Sequence, residues 1–171
     1  FRTQFMKSEL AGASFAGAEV VQCNFMGADL RGASFEDARA AQCFFGEASL
    51  AEARFDRAVL VNAIFEKASA AGANFTGAIL EEAFFGHTAL TGARFVDARL
   101  READFSHASL TAADFTGASL YRTRFHGTNR DEAVLPKAAG WLGDDEERLA
   151  AETWQPRHGA AAPAGARPAP A

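Results

Sequence analysis

Three histidines occupy related places in this sequence, and the chemistry they suggest is metal binding. His87 and His107 stand twenty residues apart, and His126 follows at close to the same spacing. A zinc site needs three or four nitrogen, sulfur or carboxylate ligands that converge on one ion. The matching positions one spacing away hold Lys67 and Gly127, which offer neither a thiolate nor a carboxylate. We therefore predict no metal site and no cofactor.

The sequence also lacks the common catalytic motifs. It contains no GxGxxG, P-loop, GxSxG or HExxH stretch, the motifs typical of dinucleotide, phosphate, acyl and zinc chemistry. Its aspartates and glutamates are scattered among arginines and are not arranged as a carboxylate pair. Because catalysis needs groups that converge in a concavity, the sequence predicts that the protein is not an enzyme.

A regular repeat sets the positions of all these residues. A phenylalanine stands at every tenth position from Phe5 to Phe125, and most of the midpoints from Leu10 to Leu120 are leucine. Residues five apart are rotated by about 140° on an α-helix and lie on opposite faces of a strand, so neither element buries the whole series. The chain must therefore turn once in every five residues, which is the pattern of a solenoid.

Echoes within the repeat indicate how many turns complete one coil. The echoed pairs are Gln22-Cys23 with Gln42-Cys43, Val59 with Ile79, and His87 with His107. Each pair is twenty residues apart, so four pentapeptides form one coil. This predicts an all-β fold, a square parallel β-helix of about six coils, with phenylalanines in two opposite columns and leucines in the other two.

The repeats resemble those of a known family. The segments Ala28-Asp29-Leu30-Arg31-Gly32, Ala33-Ser34-Phe35 and Ala103-Asp104-Phe105 are similar to the repeats of pentapeptide repeat proteins. The resemblance covers roughly residues 1–130 and implies a right-handed quadrilateral β-helix. It is much more specific for the fold than for a function.

The register fades after the last phenylalanine of the repeat, which predicts two further parts. We assign 1–130 to the β-helix, 131–155 to a C-terminal cap with a short helix, and 156–171 to a disordered tail rich in alanine, proline and glycine. The predicted apolar side of the cap consists of Trp141, Leu142, Leu149 and Trp154. The cap either closes the column alone or forms a homodimer contact, because resistance proteins of the resembling family often pair through their C-terminal ends.

Two cysteines, Cys23 and Cys43, stand one coil apart at the alanine position of the repeat. Their Cα atoms should lie about 4.8 Å apart, which is within disulfide range, but stacked side chains point in parallel and favour two buried thiols. The sequence has no signal peptide or membrane span, which predicts a cytoplasmic protein. The repeat is already in register at Phe5, so we expect that residues preceding Phe1 are missing from this sequence.

The outward positions next to the core carry the main functional signal. Where such repeats normally have polar residues, this sequence has large apolar ones on two adjoining walls. They are Phe44, Ile64 and Phe84 on one wall, Val59 and Ile79 on the next, and Val61 at the corner. These six residues, the apolar patch, are typical of a protein-binding surface, including one for a second copy. Alternatively, the tail or an upstream region covers them, or they are tolerated singly.

The charge balance restricts the partners and the function. The formal net charge is −5, and residues 1–130 contain 15 acidic and 13 basic residues without a basic cluster. Because binding to nucleic acid needs clustered lysine and arginine, we expect no direct binding of nucleic acid. We also expect no contact with a membrane. The preferred function is a non-enzymatic scaffold for an unidentified protein partner, similar to repeats that occur as modules of larger bacterial proteins.

The resemblance also implies an alternative function, a protein that protects DNA gyrase by mimicking duplex DNA. Mimicry needs a strongly negative surface, because DNA carries one charge per about 1.7 Å of its axis. Arginines interrupt the walls of this solenoid and oppose that alternative. They are Arg39, Arg54, Arg94, Arg99 and Arg124.

Overall fold

The backbone pairs with itself at a constant interval of twenty residues. The structure is a computed structural model that describes residues 2–137 and 140–153. Parallel bridges join each outward residue to the one twenty positions later, from Gln4 with Asn24 to Asp104 with Arg124. Within the described residues, single bridges of this kind form the sheets in place of longer strands. The chain therefore winds as a parallel β-helix.

Each coil has four sides, which stack into four walls. The walls are numbered here in chain order, starting with the side that contains Phe5. The first and third walls are centred on phenylalanines, and the second and fourth are centred mainly on leucines. The first wall contains Phe5, Phe25, Phe45, Phe65, Phe85, Phe105 and Phe125, and the second contains Leu10, Leu30, Leu50, Ala70, Leu90 and Leu110. The third contains Phe15, Phe35, Phe55, Phe75, Phe95 and Phe115, and the fourth contains Val20, Ala40, Leu60, Leu80, Leu100 and Leu120.

The corners between the walls share one backbone conformation. Every fifth residue from Arg2 to Glu132 has a left-handed φ, between 54° and 72°. Each turn closes with a hydrogen bond such as that from the Ala48 N–H to the Phe45 carbonyl, 3.1 Å long. A positive φ at the third residue is the requirement of a type II turn. Many of these corner residues are not glycine, and a left-handed φ strains the backbone of a residue that has a Cβ atom. Each such corner destabilises the fold by on the order of 1 kcal/mol, which the core must offset.

Phenylalanine rings fill the interior and stabilise the coils against that cost. Along each phenylalanine column, consecutive rings are nearly parallel, with centroids 4.6 to 5.3 Å apart. Between the facing columns the rings meet edge to face, as Phe55 and Phe65 do with centroids 5.8 Å apart. Both arrangements are favourable for aromatic pairs. From Phe25 to Phe125 every ring in the two columns is fully buried.

Polar groups at the alanine position are satisfied in one repeated way. The Cys43 thiol and the Thr88 and Thr123 hydroxyls each donate to the core carbonyl 23 residues earlier, at 2.7 to 2.8 Å. Both cysteines are free and buried, as their parallel stacking indicates. Burial raises the pKa of the Cys43 thiol to about 12.

The last coil is closed by residues outside the strict repeat. Leu142 bridges to Arg124, and the Trp141 ring packs edge-on against Phe125 at 5.6 Å. The Arg130 guanidinium lies 5.5 Å from the centroid of the Trp141 ring. Helix α1 follows as Glu146–Thr153. The acidic residues in its first turn stabilise it, because negative side chains interact favourably with the positive end of the helix dipole. No helix among the described residues has the length and apolar character needed to cross a membrane.

The predicted cap residues differ in their surroundings. Trp141 is partly buried against the core, Leu149 is partly buried on α1, and Leu142 is 48% exposed. The side chain of Leu142 is exposed because this residue takes an outward position in the bridge with Arg124. Trp154 and the predicted tail at 156–171 lie outside the described residues.

Replacing a central ring by a charge should abolish folding. We expect Phe65→Asp to destabilise the protein by more than about 4 kcal/mol, because it buries an unpaired carboxylate in the column. Thermal melting followed by circular dichroism measures this. Asn62→Asp adds the same charge at an exposed corner of the same coil and should leave the melting temperature nearly unchanged. Cooperative melting of Phe65→Asp at the wild-type temperature would contradict the inward assignment.

The buried thiols should be inert in the native protein. We expect an aromatic disulfide reagent to label neither Cys23 nor Cys43 at neutral pH, and to label both in denaturant, because only a solvated thiolate attacks it. The absorbance of the released thiol gives the rates. An added cysteine at an exposed corner, Glu52→Cys, should react at once. Equally fast labelling of the native cysteines would show that the coils open locally.

Candidate functional site

The apolar patch forms a continuous feature across two walls. On the first wall, Phe44 bridges to Ile64 and Ile64 bridges to Phe84, so their side chains stack coil upon coil. On the fourth wall, Val59 bridges to Ile79 in the same way. Val61 lies on the turn between the two walls, in the coil of Ile64. All six patch residues are partly exposed, which leaves apolar surface available for contact.

Two glycines accommodate the aromatic rings of the patch. A Cβ atom built on Gly46 would lie 2.9 Å from the Phe44 ring, and one built on Gly86 would overlap the Phe84 ring. Real Cβ atoms essentially never approach a neighbour so closely, so each ring occupies the space that a larger residue would need. The rings therefore lie against the wall above the glycine two positions later.

The patch also replaces residues that elsewhere stabilise the corners. Six coil sides have asparagine or aspartate at this outward position, and each side chain accepts the N–H of the residue two positions later, as Asp104 does from Ser106 at 2.8 Å. The others are Asn24, Asp29, Asn74, Asp114 and Asn129. Such a bond contributes roughly 0.5–1.5 kcal/mol. Phe44, Ile64 and Phe84 cannot form it, so the corners that follow them lack this bond.

A shallow hollow of about 280 Å³ adjoins Phe84 at the corner between the fourth and first walls. Three carboxylates and one guanidinium line it, together with Asn62 and Ala83. The charged residues are Glu82, Glu102, Asp104 and Arg124. Arg124 lies 3.4 Å from Asp104, whereas Glu82 makes no ion pair with any described residue. The surface beside the patch is therefore acidic.

Sequence reasoning brought the six patch residues together but missed their neighbours. Gly46, Gly86, Glu82 and Glu102 were not predicted to matter, because each is an ordinary residue for its position in the repeat. Aligning the sequence at twenty-residue intervals would have placed Glu82 directly above Glu102 at the corner next to Phe84.

The three histidines are also brought together, and α1 adds a carboxylate to them. The His87 and His107 rings stack with centroids 4.9 Å apart, and His126 meets His107 edge-on at 5.3 Å. The Glu152 carboxylate lies 3.3 Å from His107 Nε2 and 3.2 Å from His126 Nε2. The sequence argument considered only the matching positions of the repeat, Lys67 and Gly127, and so missed Glu152, which lies outside the repeat register.

The hydrogen bonds at this cluster favour a latch for α1 over a metal site. The Asp145 N–H donates to His126 Nδ1 at 3.2 Å, so the proton of neutral His126 is on Nε2 and points at Glu152. A metal at Nε2 would need that proton on Nδ1, where the Asp145 N–H already stands. Arg148 adds positive charge, 2.7 Å from the other Glu152 oxygen. The cluster therefore fastens α1 to the corner between the first and second walls.

The latch should open in acid. Arg148, and after it His126 and His107, hold the pKa of Glu152 below its usual value of 4.5. Arg148 belongs to α1 itself, so only the part of the lowered pKa that comes from His126 and His107 stabilises docking. That part is fully present above about pH 4.5 and is lost as the pH falls through the lowered value. We expect the NMR shifts of the α1 amides to move toward undocked values below about pH 4.

A neutral side chain at the same position tests this explanation. Glu152→Gln should give undocked shifts already at neutral pH, whereas Glu147→Gln, which alters an exposed carboxylate of the same helix, should behave like wild type. Unchanged α1 shifts in Glu152→Gln would show that other contacts hold the helix.

Comparison with family models identifies the repeat. A model described as pentapeptide repeats (9 copies) matches residues 21–64, and one described as a pentapeptide repeat region matches residues 58–135. A search of curated proteins found no match.

Solved structures include several proteins of similar type. A pentapeptide repeat protein (Rfr23) from the cyanobacterium Cyanothece 51142 is 21% identical, with TM-score 0.45, and the match covers 69% of this chain and 64% of that one. One from the Arabidopsis thaliana thylakoid lumen is 33% identical, with TM-score 0.44 and coverage of 58% and 66%. The chain thus spans slightly less than two thirds of either structure.

A third similar structure is QnrB1, a plasmid-mediated fluoroquinolone resistance protein. It is 17% identical, with TM-score 0.41 and coverage of 85% of this chain and 91% of that one. The two family models overlap at residues 58–64 and together span residues 21–135, most of the part of the chain that winds as a parallel β-helix. The chain therefore belongs to the pentapeptide repeat family.

Proposed function

We propose that this chain is a non-enzymatic, cytoplasmic scaffold that binds a protein partner through its apolar patch. The observation that carries the proposal is the replacement of corner-stabilising polar residues by Phe44, Ile64 and Phe84 in three successive coils. Residues that break a local rule without a structural gain are expected at functional sites. A partly exposed apolar cluster with a polar rim is the usual form of a protein-binding surface.

The column itself offers little to an enzyme. Its interior is filled by phenylalanine and leucine side chains, and the hollow beside Phe84 is open and shallow. The histidine cluster is engaged with α1 through Glu152. A rigid, filled column with flat walls suits binding better than catalysis, which needs groups converging in a concavity.

Gyrase protection by DNA mimicry is a weaker candidate. Many outward carboxylates are neutralised by arginines, as in the ion pairs of Asp37 with Arg57 at 2.7 Å and of Glu36 with Arg54 at 2.7 Å. A wall with paired charges does not reproduce the uniform negative charge of duplex DNA. The apolar patch has no counterpart on a phosphate backbone.

Removing the two rings should weaken binding without unfolding the protein. Phe44→Ser with Phe84→Ser should leave the melting temperature within a few degrees of wild type, because both side chains lie outside the core. Proteins retained by immobilised wild type would be purified and titrated by calorimetry against wild type and the double variant. We expect at least tenfold weaker binding, because each ring that is fully buried in a contact contributes roughly 1.5–3 kcal/mol.

Two further measurements complete this test. Val96→Ser removes a partly exposed apolar side chain outside the patch, at the corner between the third and fourth walls, and should leave binding unchanged. Sedimentation velocity of wild type and the double variant reports whether the patch binds a second copy, which would make the partner this chain itself. If the double variant retains every partner and the same oligomeric state, the apolar patch is not the binding surface.

A further inference from the structure

We infer that the partner presents a basic amphipathic helix to the apolar patch, an inference that rests on the proposed function. It concerns the chemistry of the partner, which the patch alone leaves open. Two features of the first wall carry it, the spacing of its apolar rows and the carboxylates on either side of them.

The spacing of the rows fits a helix. Phe44, Ile64 and Phe84 stand on successive coils joined by parallel bridges, so their rows are about 4.8 Å apart. On a helix, side chains three and four residues apart lie about 5–6 Å from each other, close to this spacing. In an extended segment, side chains on one face recur only every 6.6 to 6.8 Å or so. A helix lying along the column axis therefore contacts all three rows with one apolar stripe.

Among the described residues, each side of these rows carries one carboxylate that forms no ion pair. Glu82 stands at the corner toward the fourth wall and Glu47 at the corner toward the second wall, and neither makes an ion pair with a described residue. Glu102 adds a third carboxylate at the hollow next to Phe84, and its ion pair is with the adjoining, well-exposed Arg101.

The basic residues near the patch are already engaged or stand at its border. Lys67 lies 3.7 Å from Glu66, Arg99 is paired with Glu81, and Arg124 with Asp104. Arg39 is at the upper end of the fourth-wall column, in the bridge with Val59. An acidic helix would thus meet Glu47 and Glu82 as like charges, whereas lysine or arginine beside its apolar stripe would complement them.

Designed peptides test the inference directly. The basic probe is a fluorescein-labelled helical peptide of about 18 residues with leucine at i, i+3, i+4 and i+7 and mostly lysine and arginine elsewhere. The acidic probe has glutamate at every lysine and arginine position. Both are titrated by fluorescence anisotropy against the full chain, its Phe44→Ser/Phe84→Ser variant, Glu47→Gln/Glu82→Gln, and Glu52→Gln, which removes a carboxylate between the second and third walls.

We expect the basic probe to bind wild type at least tenfold more tightly than the acidic one. Its affinity for the Phe44→Ser/Phe84→Ser variant, the ring variant, should be at least tenfold lower than for wild type. Glu47→Gln/Glu82→Gln should weaken it about threefold to tenfold, and raising salt from about 0.05 to 0.5 M should weaken it further. Glu52→Gln should have no effect.

The possible failures separate this inference from the proposed function. If both probes bind equally well, or if the glutamate variants and salt change nothing while binding still depends on Phe44 and Phe84, the patch binds protein but the partner is not basic. If the affinity of neither probe depends on Phe44 and Phe84, the partner helix is overturned, and the calorimetric comparison of the ring variant with captured partners decides the proposed function independently.

Discussion

The stacking of phenylalanine rings in two facing columns is the interaction on which the rest of this structure depends. The corner at every fifth residue, including corners formed by glutamate, arginine and alanine, holds a left-handed conformation that those residues do not favour. Only a core that repeats the same contacts in each coil can offset a cost that also recurs in each coil. The parallel stacks along the columns and the edge-to-face contacts between them provide that core.

Because inward positions are so strictly determined, the outward positions are where the sequence is free to vary. Asparagine and aspartate there stabilise the following corner by accepting its N–H, as Asn74 does from Thr76 at 3.1 Å. The apolar patch forgoes that bond in successive coils, and its aromatic rings take up the space above Gly46 and Gly86. In a repeat protein every coil has the same packing requirements, so apolar residues at a few outward positions stand out more clearly than they would in an irregular fold. They support the proposal that the patch binds a partner.

The repeat was predictable from sequence because its period is only five residues and its register is kept without interruption from Phe5 to Phe125. Phe5 to Phe125 determine the turn interval, and echoes such as Val59 with Ile79 determine the number of sides. The last coil was harder to predict, because Arg130 breaks the register and Trp141 packs against Phe125 from a position that the repeat does not define. Glu152 was missed for the same reason, since a helix outside the register can dock against any wall.

The docking of α1 bears on what can cover the patch. Both histidines that hold Glu152, His107 and His126, lie on the corner between the first and second walls, in the coils that follow Phe84 along the chain. The start of the helix is fixed there as well, by the Asp145 N–H on His126 and by Asp144, which accepts from the Gly127 N–H at 2.9 Å. A helix held at both ends to the last coils cannot also lie over Phe44, two coils before Phe84. The docked α1 therefore leaves Phe44 uncovered, as the proposed binding of a partner to the apolar patch requires.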